Sequence, residues 1–191
     1  MPGGDATVEV ILGPKRKTGI DTGDTGLVIY EYKGHLYSLV TLRMPWTAAK
    51  RYCETFGGHL AVIDDEGEGS FIYELRELTT LLNENMWIGV TDEDQEGAWK
   101  TPAGQPITYF NWNNGEPNDG NGAHNEDYAH LLASSTLWND GVGTNSYMFV
   151  CEWDRSADLK LPTVQTLGDP DGGNYEFTIY GFNNHYYSVV Q

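Results

Sequence analysis

The chain has 191 residues, with 28 Asp and Glu against 11 Lys and Arg and a formal net charge of −17. That balance excludes a general nucleic-acid binder, whose phosphate contacts need clustered basic residues, and no run reaches the ~18 consecutive apolar residues of a spanning helix. Aromatic residues at 13% and 23 glycines point to a loop-rich β or α+β fold rather than a helical bundle.

Residues 1–25 are rich in Gly, Asp and Thr and read as linker, with one possible short strand at 9–13. Their basic cluster, Lys15-Arg16-Lys17, reads as a solvated surface, and no basic end followed by an apolar block marks a signal peptide. Residues 27–42 read as a hairpin, two β-prone runs flanking Lys33-Gly34. Trp46, Ala49, Cys53 and Phe56 then recur at helical spacing, with Thr47 expected to cap the start and Gly57-Gly58 the end. A short strand follows at 59–64. A second helix is expected over 66–82, with Phe71, Ile72, Leu75, Leu78 and Leu82 on one face. MWIGV (86–90) reads as a buried strand.

From 91 to about 125 the sequence is turn chemistry throughout. Irregular stretches of this length in a compact domain are usually functional or disordered. Trp99, Tyr109, Phe110 and Trp112 argue that this one is packed. Strands are expected again at 126–133, 136–140 and 146–153. Near the end, YGFNNHYYSVV (180–190) resembles YEYKGHLYSLV (30–40) at an offset of 150, pairing Tyr30 with Tyr180, His35 with His185 and Tyr37 with Tyr187. The expected layout is a linker or strand segment at 1–25, one domain at 26–154, a linker at 155–173 and the start of a second, truncated repeat at 174–191.

Two cysteines, Cys53 and Cys151, stand 98 positions apart and form no CxxC motif. They are two buried thiols or one long-range disulfide, and a disulfide would imply an oxidising compartment.

Residues 92–127 hold eight carboxylates, Asp92, Glu93, Asp94, Glu96, Glu116, Asp119, Glu126 and Asp127, against Lys100 alone. Packing them together disfavours their ionised forms unless a counter-ion is present. A hard divalent cation resolves the conflict. Ca²⁺ takes 6–8 oxygen ligands, and Asn118, Asn121, Asn125 and Asn139 add amide oxygens. The absence of cysteine and of clustered histidine in this stretch argues against zinc here, and His124, its one imidazole, reads as solvated.

Several words of the sequence together resemble the C-type lectin family over 26–154. PWTAAKRYCETFGGHLAVI is similar to the family's first helix and following strand, MWIGVTD to its WIGL core motif, GEPND, NED and WND to its calcium-site motifs, and FVCEW to its closing strand. The resemblance implies an α+β fold of two helices, small antiparallel sheets and a long calcium-stabilised loop region, with Cys53 and Cys151 as its long disulfide. It implies a principal Ca²⁺ site at Glu116, Asn118, Glu126, Asn139 and Asp140, with a cis bond before Pro117. It also implies an auxiliary Ca²⁺ site at Asp92, Glu96, Asp119 and Asp127.

In the family two vicinal sugar hydroxyls complete the principal ion's coordination, and Glu116, Glu126, Asn118 and Asn139 would hydrogen-bond them. EPN at 116–118 goes with a mannose-type preference (mannose, glucose, N-acetylglucosamine or fucose). The implied protein is non-enzymatic, extracellular and free of membrane insertion. A domain of the same fold that binds protein or ice, or that serves as a spacer, is the alternative. A glycosidase using Glu116 and Glu126 is a third reading, disfavoured because metal ligation accounts for both carboxylates. Two features depart from the family pattern. Tyr128 stands where one cysteine of a second, shorter disulfide is expected, and the loop between Asn118 and Glu126 is longer than the commonest form.

Overall fold

The central strand segments 36–40, 86–90 and 148–153 carry apolar residues on both faces, and the fold buries both. A computed structural model of the protein describes residues 27–77, 83–120, 125–155 and 158–160, together with the backbone of strands at 20–21, 165–167, 177–182 and 185–189. The elements in chain order are β1 (Ile20–Asp21), β2 (Val28–Tyr32), β3 (His35–Met44), α1 (Trp46–Thr55), β4 (His59–Leu60), α2 (Glu66–Glu77), β5 (Met86–Thr91), β6 (Tyr128–Leu131), β7 (Trp138–Gly141), β8 (Tyr147–Trp153), β9 (Gln165–Leu167), β10 (Phe177–Phe182) and β11 (His185–Val189). The main sheet runs β1-β2-β3-β8-β5-β6-β7, with β4 also paired to β8. Only the β5–β8 contact is parallel among its pairs.

On one face Leu36, Val40, Trp87, Phe149, Cys151 and Trp153 pack with Trp46, Ala49 and Cys53 of α1 and with Phe56, its C-cap. On the other, Tyr37, Leu39, Ile88, Val90, Met148 and Val150 pack with Phe71, Ile72 and Leu75 of α2 and with Trp99 and Trp138. Covered on both sides, β5 is buried at all six positions, as its unbroken apolar run requires. The Trp46 indole N–H donates to the Ile88 carbonyl at 2.9 Å and ties α1 to that strand. Gly89 lets strands approach: a Cβ there would lie 2.3 Å from the Leu60 carbonyl oxygen.

Cys53 and Cys151 form a disulfide with Cα atoms 5.3 Å apart, which closes the choice the sequence left open. Thr47 does not cap α1. The N-cap is Pro45, with no side-chain cap, and its carbonyl accepts from Ala48 and Ala49 at 3.0 and 2.9 Å. Pro45 has φ −56° and a non-helical ψ of 150°, as an N-cap requires, so the helix starts one residue ahead of the expected cap. At the other end the Gly57 and Gly58 N–H groups reach the Glu54 and Cys53 carbonyls, and Gly57 takes φ 79°. The second helix is described to Glu77, so expected Leu78 and Leu82 lie outside the described residues, as do the strand at 9–13 and Lys15-Arg16-Lys17.

Two features fall in segments read as linker. Leu159 is buried and the Lys160 N–H donates to the Phe56 carbonyl at 2.8 Å, so the chain packs on α1 beyond residue 154. Further on, β9 pairs antiparallel with β10, which pairs with β11. Among the described residues no helix is long and apolar enough to cross a membrane.

Candidate functional site

The stretch from 92 to 127 contains no helix or strand among its described residues and is held by aromatic rings and short bridges. Trp138 is fully buried and exchanges hydrogen bonds of 2.8 Å with the Asn111 carbonyl and the Asn113 N–H. Its ring meets Trp112 at 5.6 Å and Tyr109 at 5.9 Å, and Trp112 meets Trp99 at 4.7 Å. Trp138 is thus core beneath the loop rather than a platform on it.

On that support the acidic side chains converge. The Glu116–Pro117 peptide bond is cis. Asp140, on β7, accepts from the backbone N–H groups of Asn118 and Asp119 at 3.0 and 2.8 Å through one oxygen, Oδ2. Asp119 Oδ1 accepts from the N–H groups of Asn125 and Glu126 at 2.9 and 3.2 Å. The Gly120 N–H donates to Glu126, and a Cβ on Gly120 would lie 2.8 Å from Asn118 Oδ1 and 3.1 Å from Glu126 Oε2. The Glu116 side chain interacts with Asp140, Glu126 and Asn118, so these four side chains share one small volume. Asn139 points its amide nitrogen at the Asp140 carbonyl oxygen and lies 3.5 Å from His130 Nε2, so its amide oxygen is the end available to a cation.

The auxiliary group is centred on Asp92, which is buried. Its N–H donates to the Asp127 carbonyl at 3.2 Å, and its Oδ2 accepts from the Gly97 N–H at 2.7 Å. Burial pushes the Asp92 carboxyl up to about 6, with Glu96 and Asp127 adding to the rise. Burial also raises Asp127, with help from Glu96, Asp119 and Glu93. Glu116 is raised by burial first and then by Asp140 and Glu126. Like charges held together out of water are an arrangement that a cation reverses.

A direct test of fit lies in the oxygens. Asp92 Oδ1, Glu116 Oε2 and Asp140 Oδ1 are buried and have no hydrogen-bond partner among the described residues. A buried carboxylate oxygen left so is costly, ~1–3 kcal/mol or more. All three belong to the residues expected to ligate Ca²⁺, and the surrounding donor set is oxygen only, the set a hard cation takes.

Three contributors were not legible beforehand. His130 faces Asn139 across the β6–β7 pair and is pushed down to about 4 by burial, so it stays neutral beside the amide. Gly120 leaves room for two side chains. Tyr128, at the position of the missing cysteine, donates its hydroxyl to Glu93 at 2.5 Å and packs on Trp46 at 4.6 Å. A hydrogen bond and a ring contact thus tie the loop to α1. Asn121 and His124 lie outside the described residues.

The family model of the "Lectin C-type domain" matches residues 42–153. The chain is 37% identical over 123 residues to "Hepatic lectin" of Gallus gallus, covering 63% of this chain and 56% of that protein, about half its length. It is 32% identical over 123 residues to "C-type lectin mannose-binding isoform" of Oxyuranus scutellatus, covering 62% and 77%. Among solved structures it is similar to the mouse scavenger receptor C-type lectin carbohydrate-recognition domain, with TM-score 0.60, 30% identity, and coverage of 67% of this chain and 96% of that one.

Proposed function

The chain belongs to the C-type lectin domain family, and from that premise we propose that its domain is a calcium-dependent carbohydrate-binding module of mannose-type preference. The observation that carries the proposal is the set of buried oxygens on Asp92, Glu116 and Asp140 that have no hydrogen-bond partner among the described residues. In this reading Glu116, Asn118, Glu126, Asn139 and Asp140 hold the principal ion, and Asp92, Glu96, Asp119 and Asp127 hold an auxiliary one. Bound calcium supplies a hard positive charge that two vicinal sugar hydroxyls can ligate. The chain's own part is to orient the sugar. The Glu116 and Glu126 carboxylates accept from its hydroxyls, and the Asn118 and Asn139 amide groups donate to them. Burying Trp138 keeps the loop in place rather than touching the ligand.

The mannose preference rests on Glu116-Pro117-Asn118 and not on overall similarity. One relative is by name mannose-binding, while another, at 34% identity, is by name an asialoglycoprotein receptor. Exchanging Glu116→Gln together with Asn118→Asp reverses one acceptor and one donor. Mannose binding should weaken about tenfold or more, the effect of ~1.5 kcal/mol or more from mismatched charge-assisted hydrogen bonds. Competition among mannose, fucose and galactose on immobilised protein measures it, and an unchanged mannose affinity would mean that the sugar binds elsewhere.

Proton competition gives a second test. Unfolded, the Asp92 carboxyl titrates near its ordinary 3.8, and folded without a cation it titrates at about 6. Its stabilising effect on the calcium-free fold is therefore complete below about pH 4 and lost as pH rises through about 6. Calcium needs the ionised form, so the rise in Tm caused by calcium should shrink as pH falls from about 7.5 to about 5. Groups distant from the loop contribute to both curves and cancel. Thermal melts with calcium and with EDTA across that range check this, and a calcium effect that grows toward acid contradicts it.

The module is read as extracellular, in keeping with the Cys53–Cys151 disulfide. The reading of 174–191 as the opening of a second repeat is supported by register. Tyr30 faces Tyr37 and Tyr32 faces His35 in β2–β3, and Tyr180 faces Tyr187 and Phe182 faces His185 in β10–β11, each offset by 150.

A further inference from the structure

A second cluster of metal-binding side chains lies away from the acidic loop, and sheet register builds it. Along one edge of β8 runs β3, with Tyr37 opposite Glu152 and Leu36 opposite Trp153. Against β8 also lies β4, with His59 opposite Glu152. Side chains two apart on a strand share a face, so Glu152 and Asp154 project together, as do His35 and Tyr37. The face thus presents His35, Glu152, Asp154 and His59 as neighbours, while β5 and β6 separate β8 from the WND strand β7.

The distances are short. His35 Nδ1 lies 2.6 Å from Glu152 Oε1, and His59 Nε2 lies 3.1 Å from Asp154 Oδ1. One donor atom each from His35, Glu152 and Asp154 falls within 4.8 Å of the others, and His59 lies outside this group, against Asp154. Glu152 forms the floor at 3% exposure, and the His35, His59 and Asp154 side chains form an open rim at 39%, 33% and 64%. The floor is braced. The Val62 N–H donates to Glu152 Oε2 at 2.9 Å, and the Tyr37 hydroxyl, 3.3 Å from Oε1, donates to Glu68 at 2.7 Å.

His59 shows why the cluster wants a cation. Its Nδ1 is 2.9 Å from the Leu60 carbonyl oxygen and its Nε2 faces the Asp154 carboxylate, so acceptors stand at both nitrogens. A neutral imidazole carries one N–H and satisfies one of them, while an imidazolium, the form favoured by the Glu152 and Asp154 carboxylates, satisfies both. With the Nδ1 hydrogen on Leu60, the Nε2 lone pair points at a carboxylate until a cation comes between. A ring nitrogen anchored to a backbone carbonyl while the other stays open is the usual posture of a metal-ligating histidine.

We propose that His35, His59, Glu152 and Asp154 form a binding site for a borderline transition-metal dication such as Zn²⁺. The His35 nitrogen and the Glu152 and Asp154 oxygens make a three-ligand set that zinc takes, with His59 Nε2 brought in from beside Asp154 as the fourth ligand, whereas calcium takes oxygen alone. The site is independent of the acidic loop, and its failure would leave the sugar-binding reading intact.

The test titrates Co²⁺ into the full chain in excess calcium and follows visible absorption, then displaces Co²⁺ with Zn²⁺. One equivalent with the intense bands of four-coordinate Co²⁺ is expected, reversed by Zn²⁺. His59→Ala should weaken Co²⁺ binding at least about tenfold. Asp154→Asn, at an exposed position that leaves the fold intact, should weaken it in the same direction. The Glu116→Gln/Asn118→Asp protein should bind Co²⁺ as the parent does. Absence of the bands, or binding unaltered by Asp154→Asn and His59→Ala, would overturn the proposal and leave two histidine–carboxylate ion pairs.

Discussion

Excess EDTA should release the protein from a mannose column and lower its melting temperature. The physical basis is the electrostatics of one loop. Between 92 and 127 eight carboxylates face one lysine, and Lys100 is committed to Asp94 at the surface. The buried oxygens of Asp92, Glu116 and Asp140 have no hydrogen-bond donor among the described residues. Calcium at about 100 times its Kd would stabilise the fold by ~2.7 kcal/mol per site. For a domain of this size that is a Tm change of roughly 5–10 °C. Binding should suffer more than folding, because the aromatic contacts of Trp99, Trp112 and Trp138 persist without the ion while the hydroxyl ligands lose theirs. Elution with calcium present, or retention unchanged after chelation, would count against the mechanism.

Replacing Cys53 and Cys151 together by alanine should be the most damaging change to stability. The bridge closes a loop of sequence separation 98 between two fully buried residues. In the chain-entropy account, freeing a loop of that size costs ~4–5 kcal/mol, a large share of the ~5–15 kcal/mol that holds a typical domain. The expected result is a denaturant midpoint shifted far down in urea unfolding monitored by tryptophan fluorescence. A loss below about 1 kcal/mol would mean that the unfolded chain is already constrained between α1 and β8. Sugar binding by whatever fraction stays folded should be unchanged, since neither sulfur lies in the loop.

Much of the architecture could be read from local pattern. The apolar spacing of Trp46, Ala49 and Cys53 placed α1, the unbroken run at 86–90 placed β5, and paired glycines marked the end of α1. The acidic loop was legible because so many like charges interleaved with aromatic residues make sense only when packed. What was not legible depends on register. That His130 faces Asn139 is set by the pairing of β6 with β7, and nothing in either segment alone announces it. The group of His35, His59, Glu152 and Asp154 is drawn from three strands distant in sequence. The helix cap was misplaced for a simpler reason, since Pro45 reaches the required geometry with its ring rather than with a side-chain oxygen.

The pairing of β3 with β8 also has a mechanical side. The two strands run antiparallel, so the start of β3, just past the β2–β3 turn, lies beside the end of β8. A pull on the two flanking segments therefore loads the rung of Leu36 and Trp153 from the β8 side, while on the other side β2 must first part from β3. The opening can spread, but the length it releases is capped: the stretch between Cys53 and Cys151 stays looped under any load until a reductant cuts the sulfur bridge.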